Sequence, residues 1–426
     1  MELTIFNHFL EVRSITTDSR KIPANAIYFA LKGDRFNGNL FAQQALEAGA
    51  SMAVVDELIE SNDERIVKVD NVLETLQRVA LLYRRSLKIP FLAITGSNGK
   101  TTTKELVRDV LKKKYKVSAT LGNLNNHIGI PLTILAIPAD CEFAVIEMGA
   151  NHREEISSYC TFTEPDFGLI TNMGKAHLEG FGGEEGVVKG KKELYDYLHQ
   201  HKGKIFVNVE LEKLKRASNG MDIIPYGFTS GDFSLAISSE DPTIEYVCHF
   251  HSSSICVKTN LVGAYNLYNI ASAVVIGRYF KIEDEKIHAA IEEYLPDNNR
   301  SQLTITASNR LIMDAYNANP TSLEFALEGL AKQKDEKKYF VIGDMLELGE
   351  ASVDEHIRIL EVVKSLNLKG ILVGPIFSSI AQDFGYKCFK TNLEAKDFLE
   401  KNRLTDHLIL IKGSRGIKLE EVIVAL

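Results

Sequence analysis

Residues 91–102 read Phe91-Leu92-Ala93-Ile94-Thr95-Gly96-Ser97-Asn98-Gly99-Lys100-Thr101-Thr102. The opening is a continuous apolar run, which suits a strand buried on both faces of a parallel sheet. Gly96 and Gly99 then let the backbone turn so that its N–H groups point at phosphate oxygens. A helix is expected over 101–113, and its N-terminus adds a partial positive charge. Lys100 supplies a mobile cation for the β- and γ-phosphates, and the Thr101 hydroxyl can ligate Mg²⁺. The pattern G-x-x-x-x-G-K-[ST] would need glycine at position 94, where Ile94 stands, so the loop is a short one. Strand, glycine turn and helix in that order are the setting a phosphate loop needs. Gly96, Ser97, Asn98, Gly99, Lys100, Thr101 and Thr102 are therefore candidates for holding ATP.

Two more buried strands follow, over 143–147 and 167–171, with helical segments between. Such alternation predicts an α/β fold with a parallel sheet. Glu147 closes the first of these strands, at the edge where ligands gather in open α/β sheets, and is the expected carboxylate for Mg²⁺. His177 falls just after the second, at the same edge. Lys189, Lys191 and Lys192 cluster near Gly190.

Upstream, short strands (26–31, 52–55, 66–69) mix with helices over 41–48 and 73–87. Lys88-Ile89-Pro90 follows, and its proline ends the second helix. Downstream, residues 204–260 look β-rich and 261–280 look helical. Leu295-Pro296-Asp297-Asn298-Asn299 is a cluster of turn residues. Beyond it, strands over 310–313, 339–342, 370–373 and 408–411 alternate with helices in a second open α/β unit. Three domains are expected: 1–88, 89–299 and 300–426.

Composition excludes several classes. The 426 residues carry a formal net charge of −8 and no basic block, which disfavours bulk nucleic-acid binding. Cys141, Cys160, Cys248, Cys256 and Cys388 are scattered and odd in number, as in a reducing compartment. No run approaches the ~20 apolar residues that span a bilayer, and the N-terminus lacks a signal-peptide layout. A cytoplasmic, multidomain protein that does not bind membrane is expected. Cys248, His249, His251 and Cys256 suggest zinc, but on an alternating strand the cysteine and histidines diverge, so no zinc site is expected.

The phosphate loop 96–101, the strand-end Glu147 and the loop carrying Asn172 and His177 together resemble the Mur ligases, the ATP-dependent enzymes that build the peptide of bacterial cell-wall precursors. Further similar stretches are Thr17-Asp18-Ser19-Arg20, Ala30-Leu31-Lys32-Gly33, Gly122-Asn123-Leu124-Asn125-Asn126-His127-Ile128-Gly129, Asp314-Ala315-Tyr316-Asn317-Ala318-Asn319-Pro320, Gly343-Asp344-Met345-Leu346-Glu347-Leu348-Gly349 and Lys412-Gly413-Ser414-Arg415-Gly416. They span nearly the whole chain. The stretches 316–320 and 343–349 most resemble the family member that takes D-alanyl-D-alanine.

The resemblance implies an N-terminal UDP-binding domain, a central P-loop ATPase domain and a C-terminal Rossmann-like domain. It also implies a reaction. The terminal carboxylate of UDP-N-acetylmuramoyl-tripeptide takes the γ-phosphoryl of ATP, and the acyl phosphate is attacked by the amine of D-alanyl-D-alanine. One Mg²⁺ would rest on Thr101 and Glu147, and a second on His177 with a carbamylated lysine. Lys191 fits the family's Lys-x-Glu-[Ile/Leu] pattern, and Lys189 is the alternative. Asn266 and Asn269 become adenine-side candidates, although Tyr265 stands where relatives carry His. Arg300 and Asp314 resemble the nucleotide-contacting pair. Ser19, Arg20 and Lys32 are candidates for the uridine diphosphate, Asn126 for the sugar-peptide, and Asn317, Asn319 and Arg415 for the dipeptide. The resemblance implies small-molecule partners only, and a monomer is expected. Other readings are a sister ligase with a different amino acid or acceptor, a P-loop ATPase or kinase, or a non-catalytic nucleotide-binding module.

Overall fold

The computed structural model describes residues 1–229, 233–250, 253–297 and 300–426. Among these, the strands form three main sheets. The first is parallel, in the order Ile15–Thr16, Ile27–Phe29, Met52–Val55, Ile66–Lys68. The second is six-stranded and wholly parallel. Its order is Ile223–Tyr226, Lys204–Asn208, Phe167–Ile170, Phe91–Thr95, Phe143–Glu147, Val117–Ala119. All five residues of Phe91–Thr95 and of Phe143–Glu147 are buried, as two-faced strands in a parallel sheet must be.

The third sheet mixes directions. An antiparallel meander, Ser234–Glu240, Thr243–Phe250 and Ser253–Val262, meets Gln302–Ile305 through the single pair Leu261 and Gln302. Arg310–Met313 then leads into the parallel strands Leu408–Lys412, Lys338–Gly343, Lys369–Val373 and Lys387–Phe389. The chain is thus mixed α/β, with its parallel strands in three successive regions.

The helix expected over 261–280 is shorter. Leu261 and Val262 end a strand, Gly263 turns at φ 90°, and the helix runs Asn266–Tyr279. One apolar run had hidden two elements. A helix over Glu2–Val12, with Ile5 and Phe9 in the core, was not anticipated. On the strand Thr243–Phe250, Cys248 is buried and His249 exposed, so they do diverge. His251, of the zinc suggestion, and Asn298 and Asn299, of the turn cluster, lie outside the described residues.

The helix Val72–Ser86 docks the first region on the second. Tyr83 donates its hydroxyl to the Ile137 carbonyl at 2.6 Å. Arg84 donates to the Thr163 carbonyl at 2.9 Å and pairs with Asp166. Its apolar face joins a core that continues under the central sheet. Among the described residues no helix is long and apolar enough to cross a membrane.

Candidate active site

The strand Phe91–Thr95 ends in the phosphate loop at the sheet's carboxyl edge. Gly96 sits at φ 145° and Gly99 at φ 78°. A Cβ on Gly96 would lie 2.0 Å from Thr171 Oγ1, and one on Gly99 2.5 Å from Asn269 Oδ1. Both positions therefore need glycine for space as well as for conformation.

The loop is clamped to residues 171–174 after the neighbouring strand. Ser97 N donates to the Asn172 carbonyl at 3.0 Å and Asn98 N to Asn172 Oδ1 at 3.1 Å. Thr171 Oγ1 and Asn172 Nδ2 both donate to the Asn98 carbonyl. The N–H groups of residues 97 and 98 are thus already bonded. The anion cradle narrows to the start of the helix Lys100–Lys112, whose first N–H groups have no intrahelical partner. Lys100 Nζ folds back on the Gly96 carbonyl at 2.7 Å. Burial lowers its pKa; Arg300 adds to the effect and Glu147 opposes it.

Glu147 is buried beside the loop. Its Oε1 accepts from Thr101 Oγ1 at 3.2 Å and Asn125 Nδ2 at 2.7 Å. Its Oε2 is buried with no hydrogen-bond partner. An orphaned carboxylate oxygen is costly, and a cation would satisfy it, so this donor set fits Mg²⁺. Among the described residues no three His, Cys, Asp or Glu gather for a metal. Mg²⁺ tolerates that, because it keeps waters and takes substrate phosphates as ligands.

His177 adopts φ 52°, and its Nδ1 lies 2.6 Å from Glu347 Oε2 without hydrogen-bond alignment. The His177 contact holds the Glu347 carboxyl below its usual range. Lys191 is 1% exposed. Its Nζ donates to the Ala150 carbonyl at 3.3 Å and lies 5.0 Å from the centre of the Phe181 ring. Burial, then the nearby Lys100, push its pKa well down. Lys189, by contrast, has a side chain 64% exposed, and Lys192 pairs with Asp196.

The third region closes the opposite wall. The Arg300 guanidinium lies 3.6 Å from the Tyr316 ring centre, with Nε buried and unpartnered, and Arg415 approaches the same ring at 5.6 Å. Asp314 Oδ2 accepts from Lys412 Nζ at 2.6 Å. Tyr265 shares a 2.8 Å hydroxyl contact with Ser301. Asn319 Nδ2 donates to Asn98 Oδ1 at 2.6 Å. These walls enclose a cavity of about 960 Å³.

Three family models cover most of the chain: "Mur ligase family, catalytic domain" over residues 11–84, "Mur ligase middle domain" over 94–277, and "Mur ligase, glutamate ligase domain" over 299–415. The UDP-N-acetylmuramoyl-tripeptide–D-alanyl-D-alanine ligase of Bacillus subtilis is 33% identical over 97% of this chain and 92% of its own. The chain belongs to the Mur ligase family. Among solved structures, MurF from Acinetobacter baumannii matches with TM-score 0.88 and 30% identity, over 97% of this chain and 93% of that one. MurF from Thermotoga maritima, solved in complex with ADP, matches with TM-score 0.86 and 25% identity, over 98% and 97%.

In this Mur ligase the cavity brings together residues 97–102, Asn126, Glu147, His177, Asn266, Asn269, Arg300, Asp314, Asn317, Asn319 and Arg415. Lys191 lies behind that lining. Ser19, Arg20 and Lys32 are not among its lining residues: Ser19 is buried, Arg20 forks onto Asp18, and Lys32 pairs with Glu57. The amides of Asn266 and Asn269 are engaged by protein. Asn269 Nδ2 donates to Asn266 Oδ1 at 2.7 Å, and Thr103 donates to Asn269 Oδ1 at 3.0 Å. The sequence reading missed Asn125, Tyr316, Glu347 and Lys412 as site residues. All four lie inside stretches that carried the resemblance, so the signal was present without a geometry to single them out.

Proposed function

We propose that this chain joins D-alanyl-D-alanine to the terminal carboxylate of UDP-N-acetylmuramoyl-tripeptide with hydrolysis of ATP to ADP and phosphate, a step of peptidoglycan precursor synthesis. The observation that carries the reading is the cavity itself. It is lined by a phosphate loop and the Glu147 carboxylate on one wall and by a cationic, aromatic wall from the third region on the other. The full-length likeness to ligases of that name supports the choice of substrates.

The helix N-terminus at Lys100–Thr102 and the Lys100 ammonium hold the β- and γ-phosphates. Thr101 and Glu147 would hold one Mg²⁺, and His177 with a carbamylated Lys191 a second. When bound, the ions screen the approach of two anions and withdraw charge from the γ-phosphoryl group. The tripeptide carboxylate oxygen attacks the γ-phosphorus and ADP leaves. The dipeptide nitrogen then attacks the acyl carbon, loses a proton and expels phosphate. Arg300 and Asp314 orient the nucleotide. Asn266 and Asn269, engaged with each other, back the loop on the adenine side. Asn126 faces the sugar-peptide, and Asn317, Asn319 and Arg415 face the dipeptide. Ser19, Arg20 and Lys32 would bind the uridine diphosphate, outside the cavity lining, within a domain 1–88. ATP chemistry falls to 89–299 and dipeptide capture to 300–426. The chain acts as a cytoplasmic monomer.

Burial favours Lys191 over Lys189 as the carbamate lysine. Carbamylation needs a neutral amine, which the depressed Lys191 supplies, and it converts a buried cation into an oxygen ligand. The test is product mass. Incubation with both substrates and ATP should yield UDP-muramoyl-pentapeptide with one ADP for each product formed; ADP without that product would refute the reading.

A further inference from the structure

The buried face of the phosphate-loop helix carries a charge cluster that the proposed reaction leaves unused. Lys104, one turn beyond Lys100, is 1% exposed. Its Nζ donates to the Thr120 carbonyl at 2.8 Å and to Glu105 Oε1 at 3.4 Å. It also lies 4.0 Å from Glu147 Oε2. Glu105, itself buried, accepts on Oε2 from the Tyr294 hydroxyl at 2.7 Å. Thr120 closes the triangle, since its Oγ1 accepts from Glu147 N at 2.9 Å.

Lysine is almost never fully buried unless paired. Here one ammonium stands between two carboxylates at the base of the phosphate cradle. The ammonium approaches the same Glu147 oxygen that has no hydrogen-bond partner. At 4.0 Å it attracts that oxygen without taking its lone pairs. The other oxygen is fixed by Thr101 and Asn125.

We infer that Lys104 is a positioning residue for Glu147. By attracting Oε2 from 4.0 Å it fixes the tilt of the carboxylate without hydrogen-bonding that oxygen, which stays available to a divalent cation, while Glu105 and Tyr294 anchor the lysine. Removing the ammonium leaves two carboxylates facing each other and Glu147 free to rotate away from Thr101. The inference rests on the metal role proposed for Glu147.

The test is Mn²⁺ binding to the full chain with ADP, followed by electron paramagnetic resonance, beside ADP binding in the presence of a chelator. Lys104→Met should weaken Mn²⁺ binding by about 10- to 100-fold, the usual cost of removing a partner of a metal ligand. Metal-free ADP binding should stay within about 3-fold, because the cradle N–H groups remain. Tyr294→Phe keeps the ring in the core and should weaken Mn²⁺ binding by a smaller factor. Lys112→Met, at the exposed end of the helix, should change neither. Unchanged or tighter Mn²⁺ binding in Lys104→Met overturns the inference, as does an equal loss of metal-free ADP binding, which marks a merely structural lysine. If Lys104→Met does not fold, unchanged Mn²⁺ binding in Tyr294→Phe overturns it. Failure of the wild-type chain to bind Mn²⁺ with ADP would instead refute the metal role of Glu147.

Discussion

Asn98 in the phosphate loop and Asn319 at the start of the helix Pro320–Lys332 are joined by a 2.6 Å hydrogen bond, although 221 residues separate them. Asn319 makes this bond with its amide nitrogen while its Oδ1 caps Ser322 N at 3.0 Å. The residue that starts the helix thus also ties the third region to the phosphate loop.

The two duties of Asn319 can be separated. Serine is a good N-cap but too short to reach Asn98. Asn319→Ser should keep a near wild-type melting temperature, while kcat/KM for D-alanyl-D-alanine falls by about 10-fold, the worth of one well-placed hydrogen bond. Asn319→Ala should lose activity similarly and also about 1 kcal/mol of stability, because the cap is gone. Denaturant titrations beside steady-state kinetics check both.

Lys191 should carry the carbamate. Enzyme equilibrated with ¹³C-bicarbonate should show a carbamate carbonyl resonance that persists in Lys189→Ala and vanishes in Lys191→Ala. Activity should fall on removal of CO₂ and return with bicarbonate. Absence of the resonance in active enzyme, with activity kept in Lys191→Ala, would rule the carbamate out.

Gly99→Ala places a methyl 2.5 Å from Asn269 Oδ1 at φ 78°. The left-handed conformation alone costs about 1–2 kcal/mol, and displacing Asn269 also breaks its bond to Thr103. Lower stability together with weaker ADP binding, measured calorimetrically, is expected.

Acid should act partly through His288. Its ring is buried against the Tyr246 hydroxyl at 2.8 Å. Burial, with Arg278 adding, brings its pKa down to about 4 from 6.5. Between those values the unfolded chain binds a proton that the folded chain does not. Stability therefore rises with pH across that window and is lost as pH falls through it, by about 3 kcal/mol at most. Urea titrations across the window should show this slope in wild type and a shallower one in His288→Phe.

How far the sequence could be read follows from the range of the interactions. Phe91–Thr95 and Phe143–Glu147 were legible because strands buried on both faces are continuous apolar runs. Lys100, Thr101 and Glu147 followed from their place at the ends of those strands. The meander over 234–262 read only as β-rich. Its pairing with the rest of the third sheet runs through Leu261 with Gln302, which no local pattern announces. Glu347 was overlooked for the same reason, since its partner His177 lies far away in sequence. Nor could the pattern show that Asn172 already holds the N–H of Asn98.

The most direct test of the central claim is ADP release under three conditions: UDP-muramoyl-tripeptide alone, D-alanyl-D-alanine alone, and both together. A phosphate loop and a cationic wall from the third region, facing one another across a single cavity, predict sustained turnover only with both. Equal turnover with either substrate alone, or with neither, would contradict it.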